Sequence, residues 1–283
     1  MGLLGVSRET KQIVSKDFLV SKKEFHIKEV EKGLLKTTPQ ISDSKIHEYY
    51  KSENYLSHNK GSSFFSSLYS IVSKFMLKRK TSLIARLIDP GGTFLDFGCG
   101  TGELVLKMQL KGYVCFGIEN NSKAFKECVR KNIVVHKRLY DLKSKVDLIS
   151  CWHSLEHLLD FQKTLLSFNK LIEFGGHLII AVPNHDSFDA KYYGGFWAGY
   201  DVPRHRFHFN KEALIRATVS CGFNLIDSRP MLLDAYYVSI LSEKYKKSPL
   251  SFLFGILIGF ASTLFYLFTK NASSHYFIFK KSN

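Results

Sequence analysis

No CxxC pair occurs in this chain of 283 residues, and its five cysteines are scattered at positions 99, 115, 128, 151 and 221. That excludes a disulfide framework and points to reduced thiols in a cytoplasmic setting. The opening MGLLGVSRETKQ lacks a long apolar core, so no secretory leader is predicted. Val6 stands where N-myristoylation needs Ser or Thr. A long basic run is also missing. The formal net charge of +15 is spread along the chain in short clusters such as Lys78-Arg79-Lys80 and Lys246-Lys247. Such a charge is compatible with nucleic acid, an anionic membrane face or an acidic substrate, and demands none of them.

What stands out instead is FLDFGCGTGELVLKMQLKGYVCFGIE, residues 94–119. An apolar run (Phe94, Leu95, Phe97) ends in Gly98, Gly100 and Gly102, a helical pattern follows, and a second apolar run closes on Glu119. Strand, glycine turn, helix, strand, acid is the layout of a nucleotide-binding βαβ unit. Glycines let the backbone approach a ligand, and a carboxylate at the end of the second strand can accept two ribose hydroxyls. A dinucleotide fingerprint, GxGxxG, would need its last glycine where Glu103 stands. The pattern present is D-x-G-x-G-x-G, with Asp96 before the turn.

That pattern resembles motif I of the class I S-adenosylmethionine (SAM) methyltransferases, with Glu119 at the place of their ribose-binding acid. The resemblance implies an α/β fold, a Rossmann-like seven-stranded sheet with helices on both faces and a last antiparallel strand. It implies that Gly98, Gly100 and Gly102 lie against the methionine half of SAM, that Asp96 orients the turn or meets the ammonium through water, and that Glu119 holds the ribose. It extends the cofactor contacts to Asn120, to Cys151 and to Asp141, where relatives meet adenine or its edge. A plain turn aspartate is the other reading of Asp141.

Three segments are predicted: an arm over 1–60, a helical pair leading in over 61–92, and a SAM-binding domain over 93–283. Within the last, alternation predicts strands at 93–97, 114–118, 133–136, 146–151, 177–182, 223–228 and 275–280, with helices near 102–111, 122–131, 160–173 and 210–221. Gly175-Gly176 is expected to end the helix before the fifth strand. The arm resembles one that in bacterial SAM methyltransferases often carries a cysteine zinc ribbon. Here Glu29 and Lys32 replace the first cysteine pair and no cysteine precedes Cys99. A thiolate zinc site is therefore excluded, and a ribbon-like fold without metal or a lid over the cofactor is expected.

After the fourth strand comes CWHSLEHL, residues 151–158. It resembles the ExxEH loop of ubiquinone-biosynthesis O-methyltransferases and small-RNA 2′-O-methyltransferases, with Glu156 and His157 matching and His153 in place of the first glutamate. Downstream, DVPRHRFHF (201–209) brings His205 and His208. Two catalytic roles are open. His153 or His157 can take the proton of an attacking hydroxyl. Alternatively Glu156, His157 and His205 or His208 can hold a divalent ion that lowers the hydroxyl pKa. A structural role, in which Glu156 and His157 cap the next helix, is the third reading. The segment 184–209 is long and aromatic, and reads as an acceptor lid in which Tyr193, Phe196 and Trp197 stack on a ring or exclude water, or else as a loop packing its aromatics on the core.

Residues 250–268, LSFLFGILIGFASTLFYLF, form a nearly unbroken apolar run flanked by lysines. The following SSHYFIFKK reads as the last strand, so a hairpin-like or interfacial insertion at an anionic membrane surface, or burial in an oligomer, is expected rather than a span. The reading is a cytoplasmic SAM-dependent methyltransferase, peripheral at the inner face of the membrane, that O-methylates a small-molecule, glycan or lipid-linked acceptor, although the sequence carries no signature that separates oxygen from nitrogen or carbon. The rival readings are an RNA 2′-O-methyltransferase and a non-catalytic SAM-fold binding protein.

Overall fold

The computed structural model describes residues 12–50 and 63–282. Its strands are β1 Gln12–Lys16, β2 Glu24–Glu31, β3 Leu34–Thr38, β4 Thr93–Phe97, β5 Val114–Ile118, β6 Val135–His136, β7 Val146–Trp152, β8 Ile172–Pro183, β9 Phe207–Phe209, β10 Phe223–Pro230 and β11 Ser274–Lys281. Its helices are α1 Asp43–Ile46, α2 Ser63–Ile84, α3 Glu103–Gln109, α4 Ser122–Arg130, α5 Phe161–Leu171, α6 Phe188–Tyr193, α7 Lys211–Val219, α8 Leu232–Tyr245 and α9 Ser251–Thr269. The chain divides into two compact units, one of Met1–Lys51, Asn184–Ala213 and Leu232–Ser273, the other of Ser52–Pro183, Leu214–Met231 and Ser274–Asn283.

The second unit is a seven-stranded sheet in the order β10-β11-β8-β7-β4-β5-β6. β4 pairs in parallel with β5 and β7, while β11 runs antiparallel to both β10 and β8. This is the expected α/β architecture. The order reverses between β4 and β7, and ligands bind at such a switch, beyond the carboxyl ends of the strands. Phe94, Leu148 and Ile179, fully buried, form the core with Val105 and Met108 of α3. β7 is buried on both faces, which its largely apolar sequence, VDLISCW, anticipates.

Several local expectations need correction. The helical pair is one helix, α2, because no Gly or Pro interrupts the chain before Pro90. β6 keeps two residues of the expected four. Gly175-Gly176 lies inside β8, where a Cβ on Gly176 would come within 2.6 Å of the Asp147 carbonyl oxygen.

The first unit holds a sheet of order β1-β2-β3-β9. β1 to β3 form an antiparallel meander, and β9 pairs with β3 across more than 160 residues of chain. In place of a ribbon's metal, the Gly33 N–H donates to Glu29 Oε1 at 2.8 Å, closing the β2–β3 turn. The sequence boundaries 1–60, 61–92 and 93–283 do not coincide with this division, because strand pairing draws 184–213 to the arm. The apolar insertion has a covering element that its own sequence does not reveal: α8 packs along α9.

Candidate active site

The glycine turn follows β4 and is tied to the end of β5. The N–H groups of Gly98 and Cys99 donate to the Ile118 carbonyl at 2.9 and 3.1 Å. All three glycines have positive φ, of 74°, 56° and 78°, but space separates their roles. A Cβ on Gly98 would lie 2.1 Å from Ser154 Oγ, and one on Gly102 would lie 2.3 Å from Ile133 Cδ1 and 3.0 Å from Cys128 Sγ. A Cβ on Gly100 would meet nothing within 4 Å. Gly98 and Gly102 thus serve close packing, while Gly100 opens onto space. From the far side Lys131 Nζ donates to the Thr101 carbonyl at 2.7 Å and to Glu103 Oε1 at 2.6 Å.

Glu119, at the end of β5, accepts from the Gly100 N–H at 2.9 Å through Oε2 and from the Asn121 N–H at 2.7 Å through Oε1. Burial pushes its carboxyl above the usual range, and these N–H donors, with that of Asn120, only partly offset it. Asn121 caps α4 by accepting from the Lys123 and Ala124 N–H groups. Asp96 is buried and accepts from Ser150 Oγ at 2.5 Å. Burial raises its carboxyl to about 6, with Glu119 adding to the rise and Ser150 and Lys80 opposing it. Cys151 is fully buried within β7 and offers its side chain to the core, its thiol held up by burial and by Glu156. Asp141 ends a short 3-10 turn after β6 and pairs with Arg138 at 3.4 Å. A carboxylate acceptor beside an open, positive-φ glycine turn fits a ribose diol and an amino-acid tail.

The loop after β7 lies against this turn through the Ser154–Gly98 approach. His153 is a non-glycine residue at φ 49°, and its N–H donates to the Ala181 carbonyl at 2.9 Å. Its Nδ1 stands 3.6 Å from Oε1 of Glu156, which is 1% exposed. A left-handed residue held over a buried carboxylate is backbone strain of the kind that gathers at functional sites. Glu156 and His157 lie in a 3-10 turn, Leu155–His157, but they do not cap α5. Asp160 does, accepting from the Lys163 N–H at 2.9 Å.

His205 and His208 stand in the other unit. His205 Nδ1 lies 2.9 Å from the Gly199 carbonyl, and His208 Nε2 lies 2.9 Å from Thr37 Oγ1. Burial, with His205 and His185 nearby, holds the His208 imidazole well below its usual pKa, hence neutral. His208 is buried within its unit. Of the expected metal set, Glu156 and His157 belong to one unit and His205 to the other.

The lid expectation also changes. Residues 184–209 carry α6, two 3-10 turns and β9 rather than a bare loop. Trp197 and Tyr193 are buried with Phe25, Ile27 and Tyr200. Trp197 Nε1 donates to Asp189 at 2.7 Å, whereas Phe196 is exposed. Arg204 and Arg206 are interior as well: Arg204 bridges Asp17 and Asp201, and Arg206 reaches the Ile41 carbonyl and Asp43.

Two residues beside the end of β7 escaped sequence reasoning. Lys80 of α2 places Nζ 4.3 Å from the Trp152 ring centre, and Tyr276 of β11 stands 5.9 Å from the same ring. The only sequence signal was Trp152 itself, at the end of an apolar strand.

Unequal glycines make a direct prediction. Gly102→Ala is expected to lower thermal stability by about 1–3 kcal/mol through overpacking. Gly100→Ala is expected to cost the fold only about 1 kcal/mol of left-handed strain, while weakening the cofactor complex much more. Thermal unfolding and calorimetric titration of the two variants check the contrast.

The methyltransferase-domain family matches residues 72–228. The ubiquinone biosynthesis O-methyltransferase of Vibrio atlanticus is 25% identical over 107 residues, 34% of this chain and 45% of that protein. The chain thus spans under half the length of that curated relative. Two solved structures resemble the fold. The cyclopropane synthase MmaA2 of Mycobacterium tuberculosis aligns with a TM-score of 0.50 and 15% identity, covering 72% of this chain and 83% of its own. The phosphoethanolamine N-methyltransferase 2 of Haemonchus contortus, solved with phosphomonomethylethanolamine and S-adenosylhomocysteine, aligns with a TM-score of 0.51 and 15% identity, covering 73% and 53%.

Proposed function

We propose that this chain, which belongs to the methyltransferase-domain family and is a SAM-dependent methyltransferase, methylates a hydroxyl oxygen of a small-molecule, glycan or lipid-linked acceptor in the cytoplasm. The observation that carries the oxygen assignment is the His153–Glu156 pair on a loop pressed against the glycine turn. When bound, SAM supplies a methyl group on a positively charged sulfur. Glu119 would accept from the ribose hydroxyls, the turn at Gly100 would receive the amino-acid tail, and Asp96, bonded to Ser150, would orient that turn or meet the ammonium through water. His153 or His157 takes the acceptor's hydroxyl proton, and Glu156 stabilises the imidazolium so formed at His153. The match to an O-methyltransferase supports this choice over nitrogen or carbon. RNA as acceptor finds less support, since Arg204 and Arg206 are buried in ion pairs instead of presented to phosphates.

The test is transfer of a labelled methyl group from SAM to phenolic, sugar and polyprenyl hydroxyl acceptors. His153→Ala and His157→Ala are compared for turnover and for S-adenosylhomocysteine affinity. Loss of about 10²–10⁴ in turnover in one variant, with unchanged affinity, is the expected result. Turnover untouched in both would remove the base from the loop, and no turnover on any acceptor would favour a binding protein.

Asp96 also sets a pH dependence. Its carboxyl titrates near 6 before a cation arrives, and the ammonium favours the ionised form, so binding releases protons. Affinity for SAM is expected to rise with pH through about 6, and Asp96→Asn to flatten most of that rise in titrations spanning the interval.

A further inference from the structure

We infer that the exposed face of the α8–α9 hairpin is a docking surface for a lipid bilayer with anionic headgroups, on which α9 lies in the plane of the interface. This goes beyond the methyl-transfer reading and does not depend on the acceptor's identity.

The side chains of α9 are sorted by size. Gly255, Gly259 and Ser262 are its buried residues. A Cβ on Gly255 would lie 2.5 Å from the Ile240 Cα, and one on Gly259 would lie 2.7 Å from the Tyr236 Cα, so the two backbones meet closely. Ser262 Oγ donates to Asp189 Oδ1 at 2.7 Å. The large residues face outward: Leu253, Leu257, Phe260, Leu264 and Phe268 form one exposed stripe, with Phe254 and Phe265 beside it. A soluble helix buries its large apolar residues and exposes polar ones. Close contact through small residues, leaving bulky apolar ones for the surroundings, is how helices pack in lipid. An apolar patch this continuous marks an interaction surface.

Charge selects the occupant. No acidic or basic residue occurs in Ser251–Thr269, while exposed Lys244, Lys246 and Lys247 stand before it and Lys270 after it. Cations at both ends of an apolar face complement anionic headgroups. A seam for a second copy would be narrow and flanked by charged residues, whereas aromatic residues flank this stripe.

Orientation follows from length and from the hairpin's tip. The 19 residues of α9 extend about 28 Å, but the 14 of α8 extend only about 21 Å, short of a hydrocarbon core of about 30 Å. Insertion tip first would carry Lys246 and Lys247 into hydrocarbon, which is costly. Lying flat leaves the lysines in the headgroup layer and the phenylalanines below it.

Flotation of the full chain with phosphatidylcholine vesicles, with and without phosphatidylglycerol, is the test. The wild type is expected to float with the anionic vesicles. Leu257→Glu/Leu264→Glu, at positions 52% and 43% exposed, should lower that partition at least about tenfold with circular dichroism and thermal midpoint unchanged. Lys244→Glu/Lys247→Glu should remove the preference for anionic lipid. Equal flotation of wild type and the leucine variant would overturn the inference. So would a wild type that stays with the aqueous fraction, whether as a monomer or as a dimer that the leucine variant dissolves in light scattering.

Discussion

Alanine at Glu119 is expected to weaken S-adenosylhomocysteine binding by at least about two orders of magnitude while leaving the fold intact. Hydrogen bonds to a charged group contribute about 1.5–3 kcal/mol each, and a ribose diol offers two to this carboxylate. The same carboxylate holds the N–H groups of Gly100 and Asn121, so its loss also loosens the turn that receives the ligand. Stability should not fall in step, because burial already raises the Glu119 pKa and makes its charge costly in the free protein. Glu119→Gln keeps the shape and one acceptor oxygen, and should fall between. The pair of readings, affinity by calorimetry and midpoint by thermal unfolding, separates a lost ligand contact from a lost fold. Equal affinity in wild type and Glu119→Ala would remove the residue from the site.

The second large effect is structural. Arg204 is 1% exposed and donates to Asp201, to Asp17 and to the Tyr49 carbonyl. Burial pushes the Asp17 carboxyl up, but the Ser21 N–H and the Arg204 charge bring it below its ordinary range. Removing one partner of a buried ion cluster costs about 3–5 kcal/mol, because the remaining charges stay buried without compensation. Arg204→Ala is therefore expected to lower the thermal midpoint by roughly ten degrees. Replacing the cluster as a unit, with Asp17→Asn, Asp201→Asn and Arg204→Met together, should recover most of that loss. Were Arg204→Ala alone neutral, the segment 201–209 would not depend on these pairs.

The methyl-donor half of the site was legible because its parts are close in sequence. Gly98, Gly100, Gly102 and Glu119 lie within 22 residues, and a strand–turn–helix–strand pattern leaves few ways to arrange them. Strand positions along the sheet were legible for the same reason, since apolar runs alternate with helical spacing. What lay hidden depends on long-range pairing. Nothing local says that Phe207–Phe209 pairs with Leu34–Lys36, and without that pairing His205 and His208 read as functional groups. Aromatic composition alone does not say which way a ring turns, so Trp197 read as either a lid or a core residue, and its N–H is satisfied inside by Asp189. Lys80 stands 72 residues before the ring it covers, a distance that no local spacing rule reaches.

The most direct test of the central claim, that the turn at Gly100 with Glu119 holds the methyl donor, is calorimetric titration of the folded wild-type protein with S-adenosylhomocysteine. The account predicts binding at one site in the micromolar range, weakened at least about a hundredfold in Glu119→Ala and less in Gly100→Ala. A folded wild type that gives no binding heat, and no shift in thermal midpoint with excess ligand, would contradict it.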